Sequence, residues 1–140
     1  MRLRREDGAQ SLVELAFILP ILLLVVTGLF DLARAVFEEN TLAYAAREGT
    51  RYAIVHGSAS TSPVGPTNTS DPTIAAVVRG AAIGVPNITV TTAWPDGNND
   101  RNSHVSVDVT APFVPLPSQY LLGSLFSITL RGGSELIIER

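Results

Sequence analysis

Cysteine is absent, which excludes disulfides, thiolate metal sites and cysteine nucleophiles. An exported domain can do without disulfides, so this does not count against export. Charge is sparse as well, at 16% of 140 residues with a net value of −3 and the basic residues scattered. That leaves no electrostatic footprint for nucleic acid. Histidine occurs twice, as His56 near a predicted helix end and His104 at a predicted strand start. Neither has Ser, Asp or Glu neighbours at motif spacing, and no glycine-rich phosphate loop follows a strand. An enzyme is therefore not expected, nor is a cofactor. Asp96, Asn98 and Asp100 match the first three oxygen-ligand positions of a calcium loop. Arg101 stands where that loop needs glycine and Val107 where it needs glutamate, so turn chemistry is the better reading and no metal is assigned.

What the chain does have is an apolar run near its N-terminus. Leu15–Phe30 is apolar except for Thr27, with Pro20 and Gly28 embedded. As a helix it rises roughly 24 Å, and Leu12, Val13, Leu32 and Ala33 extend it toward a hydrocarbon core about 30 Å thick. Pro20 removes one backbone donor and is expected to kink or open the helix near Ala16 and Phe17. Arg2, Arg4 and Arg5 precede the run, which orients the N-terminus to the cytoplasm and the remainder outside.

Beyond Asp31 the pattern turns amphipathic. Leu29, Ala33, Val36, Phe37, Leu42, Ala43, Tyr44 and Ala46 supply the apolar positions. Asp31 with Arg34 and Glu48 with Arg51 are spaced to pair on the helix surface. With no proline from Ile21 to Ser62, one helix from about Leu12 to about Val55 is permitted, with Gly57 as its stop. Residues 58–70 read as a loop. Asp71-Pro72 reads as a helix start leading to Ile74, Val77, Val78, Ala81 and Ala82, with an end at Gly84.

Period-two alternation over Ile88–Ala93 and Val105–Thr110 predicts an antiparallel hairpin around Pro95–Asp100. Pro112, Pro115 and Pro117 are expected to end the second strand and force an extended crossover. Leu125–Leu130 and Glu135–Glu139 give either a second hairpin or one long bent strand. The triplets Asn68-Thr69-Ser70 and Asn87-Ile88-Thr89 are assigned no function. The expected organisation is a basic leader over 1–9, a transmembrane helix over 10–33, its amphipathic continuation over 34–56, a loop over 57–71, and an exported α+β domain over 72–140.

The most informative stretch is Gly8–Glu14. A basic leader, a small residue and a carboxylate just ahead of a membrane helix form the pattern that a prepilin-type peptidase reads. The cut falls before the apolar run, so the helix is retained. The new terminal ammonium of one chain can then pair with Glu14 of another, because either charge alone is disfavoured in low dielectric.

These residues resemble the TadE/TadG-like family of the tight-adherence (Flp-type) pilus system. The resemblance rests on Gly8-Ala9-Gln10-Ser11-Leu12-Val13-Glu14-Leu15-Ala16, Leu19-Pro20, Gly28–Arg34 and Ala45–Ala53, with weaker likeness in Ile128–Leu130 and Ile137–Glu139. It implies a pilin-like α+β fold in which a long helix packs on a small antiparallel sheet with one short additional helix. It also implies a pseudopilin-like minor component of the bacterial inner membrane, without enzymatic activity. The expected partners are membrane lipid, a prepilin peptidase, and other pilin or TadE/TadG-like subunits. In this class the glutamate is typically the fifth residue after processing. A cut between Ala9 and Gln10 satisfies that register, and a cut between Gly8 and Ala9 makes Glu14 the sixth. Competing readings are a secreted binding domain released after Ala35, a plain membrane-anchored domain, and a membrane-anchored hydrolase using His56 or His104.

Overall fold

The computed structural model describes residues 3–67, 70–121 and 125–139. The first glycosylation-type triplet and Arg2 of the leader thus lie wholly or largely outside the described residues. The element order is α1 (Leu3–Val55), α2 (Pro72–Ala81), β1 (Thr89–Ala93), β2 (His104–Phe113), α3 (Leu116–Leu121) and β3 (Ile128–Ile137). The chain is α+β, with a long N-terminal helix, a three-stranded antiparallel sheet and short helices. It forms two compact units: Met1–Arg34 with Val114–Phe126, and Ala35–Phe113 with Ser127–Arg140.

In the larger unit the sheet order is β1-β2-β3. Alternation does what it should on the central strand. Val105, Val107, Val109, Ala111 and Phe113 are buried while the residues between them are not. The core joins these valines to Leu42, Ala45, Ala46 and Ala53 of α1 and to Ile74, Ala75 and Val78 of α2. The buried stripe of α1 also includes Gly49 and Thr50, and from Ala45 to Ala53 it is built from small side chains. That departs from the expected apolar face, because Val36, Phe37 and Tyr44 are at least half exposed. The reason is proximity. A Cβ on Gly132 of β3 would lie 2.3 Å from the backbone N of Ala43, and one on Gly49 would lie 2.6 Å from Val78 Cγ2. Only small residues let the elements approach this closely. Thr50 Oγ1 and Ser134 Oγ close the helix–strand contact with a 2.8 Å hydrogen bond.

Helix α2 begins as its sequence predicts. The Asp71 carboxylate accepts from the N–H groups of Thr73 and Ile74, and its second oxygen accepts from Gly65 N–H at 3.2 Å. Asp71 is buried, so one side chain both caps the helix and fastens the preceding loop. The helix ends at Ala81 instead of running on to Gly84, whose φ of +82° turns the chain away. Three further expectations change. Helix α1 begins at Leu3, well before Leu12, with no proline ahead of Pro20 to stop it. β2 runs through Pro112 to Phe113, because β1 pairs only as far as Thr110 and leaves an edge where a missing donor is tolerated. The proline-rich crossover contains the six-residue helix α3, a second short helix in addition to α2, in place of a fully extended segment. Of the two alternatives for the C-terminal strands, one strand through Gly132-Gly133 is observed.

Candidate functional site

Gly8, Ala9, Gln10 and Glu14 all lie on the first turns of α1. Gln10 and Glu14 are one turn apart, and Gln10 Nε2 donates to Glu14 Oε1 at 3.3 Å. Glu14 is exposed among Leu12, Val13 and Leu15, which are each more than half exposed. From there to Phe30 the helix shows large apolar side chains on every side, including Phe17, Ile21, Leu24 and Leu29. Burying one such side chain is worth roughly 1.5–3 kcal/mol, so this surface calls for a non-aqueous environment. The helix holds an 18-residue window of mean hydropathy 2.6, none of it buried within the chain, and is long and apolar enough to cross a membrane. It runs as one helix through Pro20. Further along, Thr27 returns its hydroxyl to the carbonyls of Leu23 and Leu24, so its polarity is satisfied within the helix.

A second carboxylate closes the apolar run. Asp31 is 6% exposed; its Oδ1 meets Arg34 Nη1 at 3.2 Å and its Oδ2 accepts from Leu116 N–H at 2.8 Å. The Arg34 pairing follows from the i,i+3 spacing, as does Arg51 with Glu48 at 3.4 Å. The bond to Leu116 does not. It supplies an acceptor to the first residue of α3 across 85 positions of sequence. The signal that could have found Asp31 is its type and place, a lone carboxylate ending a membrane-length apolar run.

The calcium-like loop is consumed by its own turn. Asp96 Oδ2 accepts from His104 N–H at 2.7 Å and meets His104 Nδ1 at 2.8 Å. Asn98 Oδ1 accepts from Asp100 N–H and from the Ser103 hydroxyl. Among the described residues no group of three or more His, Asp or Glu side chains is placed to hold a metal ion. The hairpin thus brings together an Asp96–His104 pair that spacing alone did not suggest, and its geometry fits a clasp across the hairpin ends. His56 stacks on Tyr52 with centroids 3.9 Å apart and shares its Nδ1 with the Tyr52 carbonyl.

The clasp has a pH signature. The His104 backbone N–H, and then its ring, hold the Asp96 carboxyl below its ordinary value of 3.8. A carboxyl depressed in the folded state stabilises it above the unfolded pKa, and that contribution is lost as pH falls through the lower, folded value. Carboxyl-resolved NMR titration is expected to place the Asp96 midpoint below 3.8. In His104→Ala it should return only part of the way, since the backbone donor remains. A midpoint at or above the ordinary value would show the clasp to be absent in solution.

No curated protein and no solved structure gives a match to the chain. Residues 9–51, which carry Gln10, Glu14, the apolar run, Asp31 and the small-residue face of α1, match the sequence model of the family described as TadE-like protein, the family that these residues resemble.

Proposed function

We propose that the protein is a minor pilin-like structural component of a tight-adherence pilus system, held in the bacterial membrane by α1 and packed against other subunits through it. The observation that carries this reading is the family match over residues 9–51, which falls on a helix long and apolar enough to cross a membrane. An exposed carboxylate, Glu14, stands at the head of that helix's apolar surface. In the proposed cycle a prepilin peptidase removes the leader after Gly8 or Ala9, and the ammonium so created on one subunit meets Glu14 of the next. Helix register favours the cut after Ala9. The arginines of the leader favour a cytoplasmic N-terminus, which puts the sheet domain outside. The role is structural, in pilus biogenesis or surface adherence, and the partners are lipid, the peptidase and other pilin or TadE/TadG-like subunits.

Intact-mass analysis of the membrane fraction tests the processing step. The expected chain begins at residue 9 or 10. A chain beginning at Val36 would mean release by signal peptidase after Ala35 and would overturn the reading. An uncut N-terminus would leave a plain anchored domain as the better account.

A further inference from the structure

The segment that leaves the sheet after β2 returns to the apolar half of α1. No charged residue or histidine occurs from Val109 to Leu130. Within this stretch Leu116, Pro117 and Tyr120 of α3 face Pro20, Leu23, Leu24 and Thr27 of α1 across an open apolar groove of about 480 Å³. Tyr120 is 78% exposed, Leu125 76% and Phe126 63%. The contact is anchored at one end by Asp31 accepting from Leu116 N–H. At the other end it reaches Pro20, eleven residues earlier on α1 and thus roughly 16 Å along its axis.

We propose that α3, with Leu125 and Phe126, is a second membrane contact, a short excursion that enters the outer leaflet beside α1 and lays lipid acyl chains in the groove. This rests on the proposed membrane placement of α1 and extends it. Three observations choose lipid as the occupant. The groove's other wall is the membrane-length helix itself, so a residue that packs on Pro20–Thr27 shares its depth. Several polar groups of the excursion find partners within it, which lowers the cost of a low-dielectric medium. Gln119 N–H donates to the Pro115 carbonyl at 2.9 Å, Phe126 N–H donates to Ser118 Oγ at 3.1 Å, and that hydroxyl returns to the Phe126 carbonyl. Finally, Tyr120, Leu125 and Phe126 are large, uncharged and exposed beside the polar but uncharged Gln119, and tyrosine is the residue type enriched where hydrocarbon meets headgroup.

The absence of cysteine makes the test clean. Full-length Tyr120→Cys, Leu125→Cys, Ile18→Cys and Ala59→Cys proteins are each reconstituted in phosphatidylcholine vesicles and exposed to a membrane-impermeant maleimide, with the domain side accessible. Ile18 is the reference within the span and Ala59, in the exposed loop after α1, the reference in water. Thiols at positions 120 and 125 are expected to react at least about tenfold more slowly than at 59, since each unit of upward thiol pKa shift in an apolar medium removes a factor of ten in thiolate. A spin label there should also relax faster with oxygen than with an aqueous nickel chelate. If 120 and 125 react like 59 while 18 is protected, the excursion lies in water; the inference fails and the membrane reading stands. If 18 also reacts like 59, the membrane reading fails with it. Protection at 120 accompanied by label-to-label coupling that survives dilution in lipid would put a second copy on this face and overturn the inference.

Discussion

Glu14→Gln is expected to leave membrane insertion unchanged and to abolish assembly. The substitution keeps volume and the local bond with Gln10, because an amide oxygen accepts from Gln10 Nε2 as the carboxylate does. What it removes is charge. In the proposed packing this strands a neighbour's terminal ammonium in low dielectric, and breaking a buried pair from one side costs about 3–5 kcal/mol. Per contact that is roughly a hundredfold to a few thousandfold in association constant. Glu14→Ala should behave alike, so the two together separate charge from the Gln10 bond. The readouts are the membrane-fraction level, expected to be unaffected, and pili or crosslinked subunit complexes, expected to be lost. Normal assembly in either variant would rule out the ammonium–glutamate pairing.

Gly132→Ala is expected to destabilise the sheet unit by about 3 kcal/mol or more, at or beyond the upper end of the usual overpacking range. The added methyl meets backbone, with Ala43 N and Leu42 C each 2.3 Å away. No rotamer change relieves such a contact, so helix and strand must separate, loosening the Thr50–Ser134 bond and the valines beneath it. A suitable control is Gly80→Ala on α2, whose Cβ would meet nothing within 4 Å. Replacing a helical glycine there should be neutral or stabilising by up to about 1 kcal/mol. Denaturant midpoints of the full chain in detergent compare the two. A Gly132→Ala midpoint within error of the native protein would show that α1 and β3 are not in the described contact.

How far the chain could be read depended on whether a signal was local. Asp71-Pro72 carries its own instruction, because cap and first-turn proline act within one turn, and α2 starts there. The hairpin was legible for the same reason, since alternation in Val105–Thr110 and turn residues between are both local patterns. The face of α1 was not. Val36, Phe37 and Tyr44 carry the hydrophobicity, yet Ala45, Ala46 and Gly49 are buried, because closeness of approach outweighs side-chain size where a sheet backbone lies against a helix. Gly132-Gly133 suffers from the same ambiguity. A glycine pair in a strand pattern reads equally as a turn or as a place where something comes near, and only the partner decides. The helix hidden among Pro115 and Pro117 needed a distant acceptor, Asp31, that no window of sequence could supply. Glu14 was visible at once, because a charge beside an apolar run stands out without any three-dimensional knowledge.

The small-residue face of α1 has a consequence for the order in which the chain is made. Position 132 meets positions 42 and 43, so this contact waits until some ninety later residues have emerged from the ribosome or crossed a bilayer. Contacts of such long range form slowly, and an uncovered hydrophobic helix is an invitation to aggregation meanwhile. A face of Ala45, Ala46, Gly49, Thr50 and Ala53 offers little sticky area during that wait. The geometry that lets the finished helix lie close to its sheet also limits the apolar area this face presents before the sheet arrives.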